Sequence, residues 1–173
     1  MDIKKYKNLN GVSFMTLPQY RDDRGFFTPF TNFTSLLEGP IVQMNTSLSY
    51  KGVLRGMHHQ INKPQGKLVT CVSGCVLDMV YDNRKESLTY GESGVFLLDS
   101  PNKFLYVPRG YLHGFISLAD DSIFQYYIDN EYDPKDEETV SWKIMEGTIP
   151  WDILHNVYSI TKDNLIISDK DNI

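Results

Sequence analysis

A chain of 173 residues can bury one core and is too short for two ordinary domains, and 41% hydrophobic with 23% charged residues is the balance of a folded protein. A formal net charge of -5 argues against a nucleic-acid partner, which wants a basic face, though not against a site for a small anion. The opening MDIKKYKNLNGVSF lacks the apolar core of a signal peptide, and no run approaches the roughly 18 apolar residues of a membrane helix, so the expected location is cytoplasmic, with no membrane partner.

In chain order, the polar N-terminal dozen, like the tail IISDKDNI (166–173), is expected to stand off the core, and TNFTSLLEGP (31–40) carries a short helical signal stopped by Gly39-Pro40. Between about residues 26 and 129 come short β-branched and aromatic runs: FFTPFT, IVQMNTSLSY, GVLRGMHHQ, KLVTCVS, CVLDMVYD, VFLLD, KFLYVP, HGFISL and SIFQYYID. Turn signals separate them (NKPQG, SG, DNRKES, DSPN, LADD), a spacing that predicts an all-β sandwich or barrel. A second short helix is expected near Pro150–Leu154. No repeat or linker divides the chain, so the expectation is one domain over 1–173, with a core over about 20–160 and a tail over 161–173. Cys71 and Cys75, flanking a Ser73-Gly74 turn, fit neither a disulfide framework nor a four-ligand zinc site and read as small buried thiols.

Period-two parity places the side chains that could do chemistry. In CVLDMVYD, Val76, Asp78, Val80 and Asp82 share one face, which makes Asp78 an acid among valines that needs a partner. In SIFQYYID, Phe124, Tyr126 and Ile128 share a face, so Tyr126 is the inward phenol and Tyr127 the outward one. Arg24, Lys51, Arg55, Lys63, Lys67 and Arg109 lie in or beside strand ends, where they could converge on a diphosphate.

KGVLRGMHHQ (51–60) puts His58 and His59 side by side, and neighbours on a strand point to opposite faces, which argues against a chelating pair. The same alternation sets Arg55 and His58 on opposite faces; both reach one ligand only if Gly56 relaxes the strand as a glycine bulge does. Gly52…His58-x-Gln60 and Pro108-Arg-Gly110-Tyr-Leu-His113 together resemble the two strand-turn motifs of the cupin double-stranded β-helix, a jelly roll. Metal-binding cupins carry H-x-H followed by a glutamate. Here Gln60 takes the second histidine position and no glutamate follows before Gly66, leaving too few ligands for a metal.

The ordered pieces DDRGFF, QMNTSLSYKGVLRGMHHQ, QGKLVTCVSGCVLDMVYD, SLTYG, LYVPRGYLHGF, YYIDNEYDP, IPWD and ISDKD resemble the dTDP-4-dehydrorhamnose 3,5-epimerase family from Asp23 to Asp171. The resemblance implies a cofactor-free cupin with a few short helices, acting as a homodimer on a nucleotide-diphosphate 4-keto-6-deoxy sugar. It implies His58 as base with Asp171 behind it, Tyr126 as proton donor, and Lys67 as the cation for an enolate. It further implies that Arg24, Gln43, Asn45, Ser47, Arg55, His113 and Tyr132 contact the nucleotide sugar, and that Asp78 supports His113. The alternatives are a C3-only epimerase, a 3,4-ketoisomerase, or a non-catalytic cupin that binds sugar nucleotides. Nucleotide base, hexose or heptose, and the role of His59 stay open.

Overall fold

In β8 (Val76–Asp82) valines and an aspartate alternate with leucine and methionine, and every residue but Tyr81 is buried. A strand buried on both faces must be covered on both, and the computed structural model, which describes residues 1–30 and 37–173, shows how. Val76 and Val80 face an inter-sheet core with Val69, Leu105, Phe115 and Phe124; Leu77 and Met79 face an outer cluster with Leu54, Met57, Trp142 and Leu154. The helix α1 (Trp151–Tyr158) supplies Leu154 to that outer cover, and it runs past the short segment read from the sequence.

Two sheets make the sandwich. The first runs β1 (Asp2–Lys5), β2 (Ser13–Thr16), β10 (Lys103–Val107), β7 (Lys67–Ser73), β12 (Ser122–Ile128) and β5 (Gln43–Ser49). The second runs β13 (Glu137–Thr139), β6 (Val53–Gln60), β11 (Tyr111–Ser117), β8 and β9 (Ser93–Leu98). A separate hairpin, β3 (Tyr20–Asp22) with β4 (Gly25–Phe27), stands apart with every residue exposed. Ladder pairs are antiparallel except that β14 (Ile166–Ile167) runs parallel to β6. Each of the nine runs read as strands over 26–129 overlaps one in the structure, and the all-β expectation holds. The helical signal at 31–40 falls largely on 31–36, outside the described residues.

Two expectations are corrected. The N-terminal dozen does not stand off: β1 pairs with β2, which pairs with β10 and buries Met15 completely. β1 escaped notice because DIKK is an exposed edge strand whose lysines protect the edge and carry no burial pattern. The tail also returns, with Ile166 N–H donating to Gly52 O at 2.9 Å and Asp171 only 4% exposed. No described helix is long and apolar enough to cross a membrane.

Candidate active site

The site grows out of an irregularity in β6. In the β6–β11 ladder His58 stands opposite His113 but Arg55 opposite Phe115, so Gly56 and Met57 together face Gly114. That extra residue is a β-bulge, and Gly56 takes φ +113 to make it. A Cβ on Gly56 would come within 2.5 Å of Gly114 Cα, so only glycine lets the two strands approach. The consequence is a reset of parity. Met57 packs in the outer cluster while Arg55 and His58 both line one cavity of about 440 Å³.

The bulge also breaks the cover of the β6 edge. β14 pairs with Val53 and Leu54, β13 with His58 to Gln60, and Val140 exchanges hydrogen bonds with Met57. Gly56 N–H is left between them and donates to Asp171 Oδ2 at 3.3 Å. The other oxygen, Asp171 Oδ1, lies 2.6 Å from His58 Nε2. A carboxylate at that distance accepts from Nε2–H, which leaves Nδ1 as the basic nitrogen. Beyond Nδ1, at 4.0 Å, is Glu137 Oε2, and Glu137 Oε1 is bonded to Lys170. Burial pulls the His58 pKa below its ordinary 6.5 against the opposing pull of Asp171 and Glu137.

The facing wall comes from the first sheet. Tyr126 on β12 lines the cavity, its phenol pKa raised by burial, and Tyr127 packs on the opposite face in a separate cluster with Leu68 and Phe104, as parity requires. Lys67 on β7 is paired in register with Ile128 and is 9% exposed; burial lowers its pKa to about 8 despite Glu137 and Asp78 nearby. Asn45 and Ser47 on β5 line the cavity too, and the buried Ser47 hydroxyl has no partner. Arg55 donates through Nε to Ser49 Oγ at 3.1 Å. Tyr132 stands at the mouth, 43% exposed.

His113 lies on the same face as His58, and its Nε2 is 2.9 and 3.0 Å from the two oxygens of Asp78, which is fully buried. Burial raises the Asp78 pKa, partly offset by His113. This is the partner that an acid among valines required.

Two residues assigned to the ligand lie elsewhere. Arg24 is on the exposed hairpin, bound to Asp22 at 2.6 Å, and does not reach this chain's cavity. Gln43 does not line it either: Gln43 Oε1 accepts Tyr132 N–H at 3.0 Å and Nε2 donates to Asn45 Oδ1 at 2.8 Å, so it braces two residues that do. His59 points outward to Glu138, 2.6 Å away. Gln60, at the second histidine position, spends its amide on Lys63 O, Glu131 O and Asp133 N–H. Among the described residues no three His, Cys, Asp or Glu side chains converge on a metal position. Sequence reasoning missed Gln65, Glu137, Ser168 and Lys170, all lining the cavity. Glu137 and Lys170 sit on short polar segments whose signal is that of solvated charge, and only the pairing of β13 and the tail with β6 brings them in.

The sequence profile of the dTDP-4-dehydrorhamnose 3,5-epimerase family matches residues 6–173. A dTDP-4-dehydrorhamnose 3,5-epimerase of Methanothermobacter thermautotrophicus is 38% identical over 169 residues, covering 95% of this chain and 88% of that protein. The crystal structure of the Bacillus anthracis dTDP-4-dehydrorhamnose 3,5-epimerase, with TDP and PPi bound, superposes with a TM-score of 0.85 at 32% identity, covering 99% of this chain and 97% of that one. ChmJ, a 3'-monoepimerase from Streptomyces bikiniensis in complex with dTDP-quinovose, gives a TM-score of 0.80 at 28% identity, covering 94% of this chain and 82% of that one. These neighbours share the cupin fold.

Proposed function

The chain belongs to the dTDP-4-dehydrorhamnose 3,5-epimerase family and is a nucleotide-sugar epimerase of that type, and we propose that it inverts both C3 and C5 of a nucleotide-linked 4-keto-6-deoxy sugar, with His58 as base and Tyr126 as acid. One observation carries the assignment. His58 projects into the cavity from the second sheet and Tyr126 from the first, so a base and an acid face each other across one ligand space.

Inversion at carbon needs that arrangement. The C4 ketone acidifies the hydrogens on C3 and C5. His58 Nδ1 takes one of them, and the C–H electron pair moves into an enolate with its charge on O4. Asp171 stabilises the imidazolium that forms, and the Lys67 ammonium stabilises the enolate. Tyr126 O–H then returns a proton to the opposite face of the same carbon. Its raised pKa keeps the phenol protonated until that moment.

Arg55, Asn45 and the partnerless Ser47 hydroxyl supply donors for the diphosphate, and Tyr132 at the mouth supplies an aromatic face for the base. Gln43 acts through Asn45 and Tyr132, holding the Asn45 amide with its N–H groups free for the ligand. Arg24 serves the cavity of a second copy in a homodimer. The hairpin that carries it exposes Phe26 and Phe27, and the edge strand β5 exposes Met44 and Leu48, an apolar surface that a partner would cover. The enzyme works in the cytoplasm without a metal, in deoxysugar supply for surface polysaccharide.

The test is hydrogen exchange in deuterated buffer with dTDP- and GDP-linked 4-keto-6-deoxy hexoses. Incorporation at C3 and C5, unchanged by a chelator, is the expected result, and no incorporation at either carbon would make the protein a binding module. The likeness to a 3'-monoepimerase keeps a C3-only reaction as the second reading, and incorporation at C3 alone would select it.

A further inference from the structure

Each inversion leaves the site unbalanced. One proton has moved from carbon to His58 and another from Tyr126 to carbon, so the enzyme holds an imidazolium and a phenolate. A second inversion on the same bound sugar needs His58 neutral and Tyr126 protonated again. A proton must therefore travel from one to the other while the ligand fills the cavity.

Two carboxylates flank His58, and they differ in where they lead. Asp171, at Nε2, is a dead end: its side chain is 5% exposed and its second oxygen accepts Gly56 N–H. Glu137, beyond Nδ1, is itself only 11% exposed but leads outward through its ion-pair partner. Its Oε2 faces Nδ1 at 4.0 Å, its Oε1 is bonded to Lys170, and the Lys170 side chain is 52% exposed. Glu137 also bears electrostatically on Tyr126. The 4.0 Å gap needs a bridging water or about 1 Å of side-chain movement, within what such contacts gain when a ligand closes the site.

We propose that Glu137 is the proton relay that resets the His58–Tyr126 pair between two inversions of one bound sugar. The proposal rests on the double-epimerase reading above. His58 Nδ1–H gives its proton to Glu137 Oε2 and returns to neutral imidazole. The carboxyl group passes the proton through water at the mouth to the Tyr126 phenolate and returns to carboxylate. No proton is gained or lost over the cycle, and no other reactant enters. Lys170 anchors Oε1 so that Oε2 stays turned to the imidazole.

The experiment counts deuterium at C3 and C5 of dTDP-4-keto-6-deoxyglucose, quenched at intervals in deuterated buffer. In Glu137→Gln the ratio of second to first exchange should fall at least about tenfold, and singly exchanged sugar should accumulate. In Glu137→Ala, added formate should raise the same ratio by roughly threefold or more, since a small carboxylate can stand in for a relay but not for a structural contact. A ratio within about twofold of the unmodified protein in Glu137→Gln, whatever the overall rate, would overturn the relay, as would failure of formate to rescue Glu137→Ala. Exchange at one carbon only in the unmodified protein would overturn the double-epimerase reading and the relay with it, because no second abstraction would exist. Exchange at neither carbon would instead overturn the proposed function.

Discussion

The cavity holds two histidine–carboxylate pairs on neighbouring strands, in register with each other, and they are built in opposite ways. His113 and Asp78 are both interior strand residues, 7% and 0% exposed, with the carboxylate reaching the ring across the β8–β11 ladder. His58 is 21% exposed and its carboxylate comes from the tail, with a second one beyond its other nitrogen. A pair made by adjacent strands is part of the sheet and cannot be opened without breaking it. A pair closed by a residue outside every strand can be lost while the sheet survives. The difference predicts that damage to the His58 pair reads out in rate and damage to the His113 pair in stability.

The largest effect should come from His58→Asn, which removes the proposed base. Exchange at C3 and C5 should fall by about a thousandfold or more, with thermal unfolding little changed. His113→Asn should keep measurable exchange. Equal losses from the two substitutions would erase the distinction between the pairs.

Asp171→Asn should cost roughly a hundredfold in exchange, because the amide presents the wrong atom to Nε2 in one orientation and to Gly56 N–H in the other. Asp78→Ala is its counterpart and should cost about 3–5 kcal/mol of stability, the range for breaking a buried pair, measured by denaturant unfolding. A stable Asp78→Ala protein, or an unfolded Asp171→Asn one, would reverse the assignment.

The same contrast marks what could be read in the sequence. Asp78 was legible because strand parity alone puts an acid among valines, and a buried acid must find a partner. The bulge at Gly56 was legible as a requirement, since Arg55 and His58 share a ligand only if alternation fails between them. Glu137 and Lys170 were not, because the pairing of β13 and β14 along one edge of β6 is a long-range fact with no local periodicity. Arg24 could be tied to nucleotide sugar only by family likeness, and it lies on an exposed hairpin, bound to Asp22 and away from this chain's cavity. The N-terminal dozen was misread for a local reason: a polar edge strand resembles a loop until its partner is known.

The smallest predicted effect separates rate from stability within one side chain. Lys67 is buried between the walls, and its pKa falls from 10.5 to about 8 because burial disfavours the charge. Below about pH 8 the native protein carries that charge at a cost on the order of 3 kcal/mol, while the unfolded chain carries it freely. From about 8 toward 10.5 the unfolded chain binds more protons than the native one, so this residue makes stability rise with pH. Activity should move the other way, falling roughly tenfold per pH unit above about 8 as the enolate loses its cation, and falling on the acid side as His58 is protonated below its ordinary 6.5. Lys67→Met should be more stable at neutral pH, lose the alkaline limb of the rate profile along with most of the rate, and unfold without the rise between pH 8 and 9.5. A variant that keeps that limb would place the titrating cation elsewhere.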